Sequence, residues 1–247
     1  MRAERERAGS GRPRSRRGQG ELLRRDILDA VNRLLVEWGG ADKLTIRAVA
    51  QEVGVAAPSI YLHFSDKAEL VWTALTDKYA QLAELMRAAD EGAADGDPLA
   101  RLRAQVHAYC RFGLHNPGHY RLMFETRQPA VDASRIGRHP AKLVSGSLRH
   151  AVTRSAEAGC VLSLPAEQLA TTLWAGLHGT VSLSHSIFSD DLTEQLVLDL
   201  ADGLLGSLIA LPGDTTAPRP GAEGAVDTLA MRRIRDLLGT ADDSPQS

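Results

Sequence analysis

Four side chains between residues 107 and 119, His107, Cys110, His115 and His119, bring together the nitrogen and sulfur donors that suit zinc. Their spacing argues against such a site. Asn116-Pro117 interrupts the helical pattern between the last two, and the chain has no Cys-x-x-Cys pair, so neither a metal nor a cofactor is expected. Enzyme signatures are absent too: there is no G-x-S-x-G, no phosphate-binding glycine loop and no H-E-x-x-H. A different chemistry is suggested by residues 44 to 70, "LTIRAVAQEVGVAAPSIYLHFSDKAEL", where two short apolar periodicities flank Gly54 and an aromatic cluster ends beside Lys67. Two short helices joined by a tight glycine turn form a helix-turn-helix, whose second helix lies in the major groove of DNA. Ala50 sits four residues before Gly54, where crossing helices come closest and only a small side chain fits, and Val55 and Ile60 plug the angle between them. A plain helical hairpin that touches no nucleic acid is the alternative with the same pattern.

Charge favours the first reading. The chain of 247 residues has a formal net charge of -2, but residues 1 to 68 hold 13 basic and 9 acidic side chains, net +4, and the remainder is net -6. Only the first segment is therefore expected to meet a polyanion. Hydrophobic residues make up 43% and charged residues 24%, a globular composition. Two cysteines, Cys110 and Cys160, do not make a disulfide framework, and no secretory h-region follows the Arg-rich start, so a reducing cytoplasm is the expected location. Residues 168 to 188 carry no Asp, Glu, Lys or Arg, yet they include Gln168, three threonines, three serines and two histidines, too polar for lipid. A helix buried in protein, with no membrane contact, is expected there.

The elements that must position these residues read as an all-α chain. Residues 1–20 form an Arg-rich flexible arm, 21–68 the helix-turn-helix domain, 69–211 a second helical domain, and 212–247 a loose tail with a short helix near 226–238. Apolar positions Leu23, Ile27, Val31, Leu34 and Trp38 build the first helix, from Glu21, which Gly39-Gly40 stops. Thr45 caps the second, Gly54 takes the left-handed turn, and a third runs from Ala56 to Phe64. The fourth, capped by Ser65 or Asp66, reaches about Ala89 before the loop "DEGAADGDP". Further helices are expected at about 97–115, 117–125, 140–158, 165–188 and 192–210, with no strand.

Residues 21 to 75 resemble the DNA-binding domain of the TetR/AcrR family of bacterial regulators, through Thr45, Ala50, Gly54-Val55, Tyr61-x-His63-Phe64 and Lys67 in that family's order and spacing. The resemblance implies that Thr45, Tyr61, His63 and Lys67 contact DNA phosphates while Arg47, Ala57, Pro58 and Ser59 face the groove. Phosphate contacts position the protein and base contacts specify the site. Where the family often has Ser or Thr after the turn, this chain has Ala56, so Pro58, with its fixed φ, is expected to help set the start of the third helix. The small apolar surface of Ala56, Ala57 and Pro58 leaves Arg47, then Ser59, as direct base readers. In the arm, Arg14, Arg16 and Arg17, with Arg12, Arg24 and Arg25, supply a sequence-tolerant hold on DNA, or else a solvated tail.

The second domain offers a seam for pairing. Ala175, Gly179, Ser182 and Ser186 form one small-residue stripe, and Gly203, Gly206 and Ala210 another on the last helix. The family dimerises through a four-helix bundle of its last two core helices, which implies a homodimer on a palindromic operator; packing within one subunit is the alternative. "WAGLHG" resembles the Trp-His-Gly segment of one TetR subgroup. A cavity for a small hydrophobic ligand is implied, lined by Tyr79, His107, Cys110, Phe124, Trp174, Leu177 and His178, though each of these taken singly reads more simply as core. The function expected is a regulator, most simply a repressor, released by ligand. Its rivals are a helical small-molecule-binding protein or enzyme with a vestigial helix-turn-helix, and a ligand-independent DNA-binding dimer.

Overall fold

A computed structural model describes residues 17–93, 98–125, 139–187 and 193–211. The fold is all-α. The chain divides into two compact units, Met1–Ala74 and Leu75–Ser247.

In the first unit, α1 (Arg17–Trp38) buries Ile27, Ala30, Val31, Leu34 and Leu35, the stripe expected from a helical period. It begins four residues before the expected Glu21. The Arg24 guanidinium sits 5.1 Å over the Phe64 ring, a contact with a residue distant in sequence that supports this end of the helix. Gly39 and Gly40, both at positive φ, end it. The Thr45 side chain accepts a hydrogen bond from the Ala48 N–H at 3.1 Å and so caps α2 (Ile46–Val53). Gly54 closes α2 at φ 79° and ψ 29°, a left-handed conformation costly for any residue with a Cβ, and the Val55 N–H returns to the Ala50 carbonyl at 2.9 Å.

α3 spans Ala57–Tyr61, shorter than the expected Ala56 to Phe64. Ala56 offers no capping side chain, and Pro58 in the first turn supplies the fixed φ instead. Ile60 and Phe64 are buried between these helices, each contributing about 1.5 to 3 kcal/mol through the area it removes from water. α4 (Lys67–Gly92) starts with a reciprocal cap: the Glu69 N–H donates to the Asp66 carboxylate, and Glu69 accepts from the Ser65 N–H, both at 2.7 Å. Its C-terminal end runs three residues beyond the expected Ala89, into the stretch that had read as a loop.

In the second unit, α5 (Pro98–His115) packs against α7 (Ala141–Glu157), α8 (Ala166–Ile187) and α9 (Thr193–Leu208), and α8 lies against both α7 and α9. Between α5 and α7, the segment expected as one helix over 117–125 divides into α6 (Pro117–Tyr120) and a single π turn, Arg121–Glu125. Two short strands not expected from the sequence, β1 (Val161–Leu162) and β2 (Ile209–Ala210), pair antiparallel. Ala210 therefore stands opposite Val161 in a strand, not on the last helix, which ends at Leu208. Nor is α8 buried all round. Leu169, Leu173, Leu177 and Val181 are buried, whereas Thr171, Thr172, Ala175 and Ser186 face outward, so the uncharged stretch is amphipathic through hydroxyls and small side chains. Among the described residues no helix is long and apolar enough to cross a membrane. Cys110 and Cys160 are both buried and form no disulfide.

Candidate functional site

The geometry of the helix-turn-helix follows from its caps. Because Gly54 fixes the angle between α2 and α3, exposed side chains from both helices are presented at the ends of rigid elements: Arg47 on α2, Pro58 and the 56% exposed Tyr61 on α3. Ala57, Ser59 and His63 are half-buried. Thr45 uses its oxygen as an acceptor toward Ala48, which leaves its O–H to donate elsewhere. Lys67 donates to the Asp42 carbonyl at 3.4 Å, a long contact that leaves further N–H groups on the ammonium. Arg33 of α1 is paired with Glu52 of α2 at 3.0 Å. Arg14 and Arg16 lie outside the described residues, as does the whole of 212–247; Arg17 opens α1. Sequence reasoning did not find Arg24 over Phe64, since no local pattern announces a cation above a ring forty residues away.

Of the ligand-site candidates, the structure gathers Tyr79, Phe124, Trp174 and His178 around one aromatic cluster, with Phe124 5.4 Å from Tyr79, 6.2 Å from Trp174 and 5.5 Å from His178 between ring centroids. Two residues missing from the sequence-based set occupy its centre. Tyr109 and Tyr120 share a hydrogen bond of 2.9 Å between hydroxyls, and the Tyr120 hydroxyl lies 2.8 Å from His178 Nδ1. The Tyr79 hydroxyl donates to the Met123 carbonyl at 2.6 Å. The available signal was compositional: the chain has only four tyrosines, and three of them meet here.

Burial pushes the ionisation of all three phenols above the ordinary value and lowers His178 below it, so this network is uncharged near neutral pH. Burial also pushes the Cys110 thiol up to about 12. His107 turns elsewhere, to Asp202 of α9 at 2.9 Å, and His115 to Glu194 at 3.0 Å, so two of the four residues weighed as zinc ligands are held by carboxylates. Leu177 is wholly buried. An open apolar cleft of about 270 Å³ lies over the cluster, lined by Phe124, Thr171, Trp174, Ala175 and His178.

The small residues of the presumed seam have different surroundings. Gly179, Gly203 and Gly206 would meet nothing within 4 Å if they carried a Cβ, whereas Gly176 would strike Leu204 at 2.4 Å and Gly113 would strike Val181 at 2.5 Å. Close approach inside the unit is thus the work of Gly113 and Gly176. Ala175 and Ser186 are exposed and Ser182, half-buried, donates to Glu125 at 2.6 Å.

Comparison with known proteins agrees with this architecture. Residues 27–72 match the family model of bacterial regulatory proteins, tetR family, and residues 102–197 match the tetracyclin repressor-like C-terminal domain. Among solved structures, the fatty acid degradation regulator FadR from Bacillus halodurans is 21% identical with a TM-score of 0.64, over 74% of this chain and 98% of that one. FadR from Bacillus subtilis, solved with stearoyl-CoA, is 17% identical with a TM-score of 0.63, over 73% and 97%. A TetR family transcription regulator from Marinobacter aquaeolei VT8 is 20% identical with a TM-score of 0.60, over 76% and 98%. At these identities the likeness is one of fold.

Proposed function

This chain belongs to the TetR family of transcriptional regulators, and from that premise we propose that it represses transcription as a cytoplasmic homodimer bound to a palindromic operator, and that a small hydrophobic ligand releases it. The observation that carries the reading is the Gly54 turn between α2 and α3, with Arg47 and Tyr61 exposed on the two helices it joins. In this reading Thr45, Tyr61, His63 and Lys67 hold phosphates, Arg47 reads a base, and Ala57, Pro58 and Ser59 line the groove. Arg14, Arg16 and Arg17 add a sequence-independent hold. The outward small residues of α8 and α9, namely Ala175, Gly179, Ser182, Ser186, Gly203 and Gly206, with Ala210 beside them on β2, form the two-fold seam. Of the residues expected to line the pocket, Phe124, Trp174 and His178 meet the ligand at the open cleft, Tyr79, Cys110 and Leu177 back it from the interior, and His107 is turned to Asp202. Ligand binding moves α4 and so alters the spacing of the two recognition helices, by a coupling no larger than the ligand's differential affinity for the two states.

Selection of duplexes from a random library at about 0.15 M salt, followed by anisotropy titration, tests this. An inverted repeat should emerge. Tyr61→Ala should weaken binding to all sequences alike by about 1 kcal/mol, the net value of a lost hydrogen bond. Arg47→Ala should cost about 1 to 3 kcal/mol on the selected site alone, flattening base preference at one position. Binding that shows no enriched sequence and survives both changes would remove the regulator reading. A second reading, a dimer that binds DNA without regard to ligand, draws support from the tyrosine rings that fill the interior of the second unit. A ligand that raises the melting temperature but leaves operator affinity unchanged would favour it.

A further inference from the structure

The aromatic cluster and the cleft over it divide the second unit into a filled interior and an open exterior. Inside, Tyr79, Tyr109 and Tyr120 are no more than 1% exposed and each hydroxyl is already hydrogen-bonded. Admitting a molecule at that depth would require displacing rings held by both packing and hydrogen bonds. Outside, the cleft of about 270 Å³ is walled by Phe124, Trp174 and His178, whose rings stand at fixed angles: Phe124 meets Trp174 edge-on at 76° and His178 at 55°, while His178 stacks on Tyr120 at 23°. Among the described residues, no Asp, Glu, Lys or Arg lines it. Its remaining rim is Thr171 and Ala175, and the Thr171 hydroxyl is committed to the Glu167 carbonyl at 3.0 Å. Among the described residues nothing in the lining compensates a ligand charge, whereas three ring faces and edges suit a flat aromatic group.

The rim connects this cleft to the outward face of α8. Ala175 is exposed and belongs to the stripe that continues through Gly179, around which space is open. We infer that the cleft takes an uncharged aromatic small molecule, and that a second copy of this chain, seated on that stripe, completes the site by closing its open side. The inference rests on the ligand-responsive homodimer proposed above and assigns its ligand class and its regulation. A molecule held between two copies is linked to dimerisation by mass action: it binds the dimer more tightly than the monomer, and it shifts the monomer–dimer equilibrium by the same factor.

The neutral fluorophore N-phenyl-1-naphthylamine serves as probe, titrated into the full chain while sedimentation velocity reports mass. The wild-type dimer should bind it, and Phe124→Leu, which keeps apolar volume but removes one ring wall, should weaken binding roughly threefold to tenfold at unchanged helix content. The double change Gly203→Arg, Gly206→Arg, at glycines with open surroundings away from the cleft, should yield monomers that bind the probe at least threefold more weakly. Monomers with wild-type probe affinity would overturn the shared site and leave the homodimer standing. A wild-type chain that sediments as a monomer, or a double variant that stays dimeric, would overturn the seam itself and this inference with it. No probe binding, or equal binding of the anionic 1-anilinonaphthalene-8-sulfonate, would overturn the uncharged aromatic ligand.

Discussion

Asn32 lies on α1 only 4% exposed, and among the described residues neither its amide nitrogen nor its carbonyl oxygen has a hydrogen-bond partner. Burying an amide without a partner costs about 1 to 3 kcal/mol, and leucine fills a similar volume without that cost. Asn32→Leu should therefore raise the stability of the first unit by about 1 kcal/mol, read as a higher denaturation midpoint. Asp90 is the opposite case, a buried group with ample partners. Arg101 donates to it at 2.5 Å, Gln105 at 2.9 Å and Arg154 as well, while Ser147 in turn holds Gln105 at 2.9 Å. Burial works to raise the carboxyl, but the hydrogen bonds from Gln105, Arg154 and Arg101 prevail and hold it below the ordinary carboxylate value. Because the folded value is depressed, the stabilisation is fully present above the unfolded value near about 3.9 and is lost as pH falls through the folded one. Melts from pH 7 down to pH 3 should show that loss. Asp90→Asn should lower stability by about 3 kcal/mol at pH 7, since it leaves two partly buried guanidinium groups without their counterion, and should flatten the acid limb.

Helices depend on where their small residues point. A Cβ added at Gly113 on α5 would come within 2.5 Å of Val181 and 3.1 Å of the Tyr120 ring, and the ring is locked by its own hydrogen bonds. Gly179 on α8 faces open space. Gly113→Ala should lower stability by about 1 to 3 kcal/mol through overpacking, whereas Gly146→Ala on α7, with open surroundings and outside the proposed seam, should be neutral or raise it by up to about 1 kcal/mol through helix propensity, both read from melting midpoints. The same contrast explains what a reader of the sequence could see. Helix periods, the Thr45 cap and the Gly54 turn were legible because each is a local rule: a side chain answering a nearby N–H, or a backbone angle only glycine reaches cheaply. The start of α1 at Arg17, the helical course of Asp90 and the central place of Tyr109 and Tyr120 were not. Each has partners far along the chain: Phe64 for α1, Arg154 for Asp90, His178 for Tyr120. Among the small residues, Gly176 and Gly179 look alike in sequence, and only the placement of Leu204 separates packing inside the unit from an outward face.

For the whole molecule, the uneven charge has a measurable signature. Residues 1 to 68 carry net +4 in a chain of net -2, so DNA binding should weaken steeply with salt while the second unit contributes no attraction. Lys67→Ala, by removing one phosphate contact from each copy, should reduce the slope of log K against log salt by about 1 per copy, about 2 in a dimer. A monomeric complex would lose only about 1, so one titration series reads contact and stoichiometry together. A last consequence follows from the two buried cysteines. With the Cys110 thiol pushed up to about 12 and Cys160 buried as well, thiol reagents near neutral pH have poor access to both sulfurs of the native chain. A spin label could then be placed at Leu62, 83% exposed at the end of α3, as Leu62→Cys without first removing native cysteines. In a two-fold dimer that single change creates one label pair, so a pulsed electron-resonance distance would report how far apart the recognition elements stand, with and without ligand.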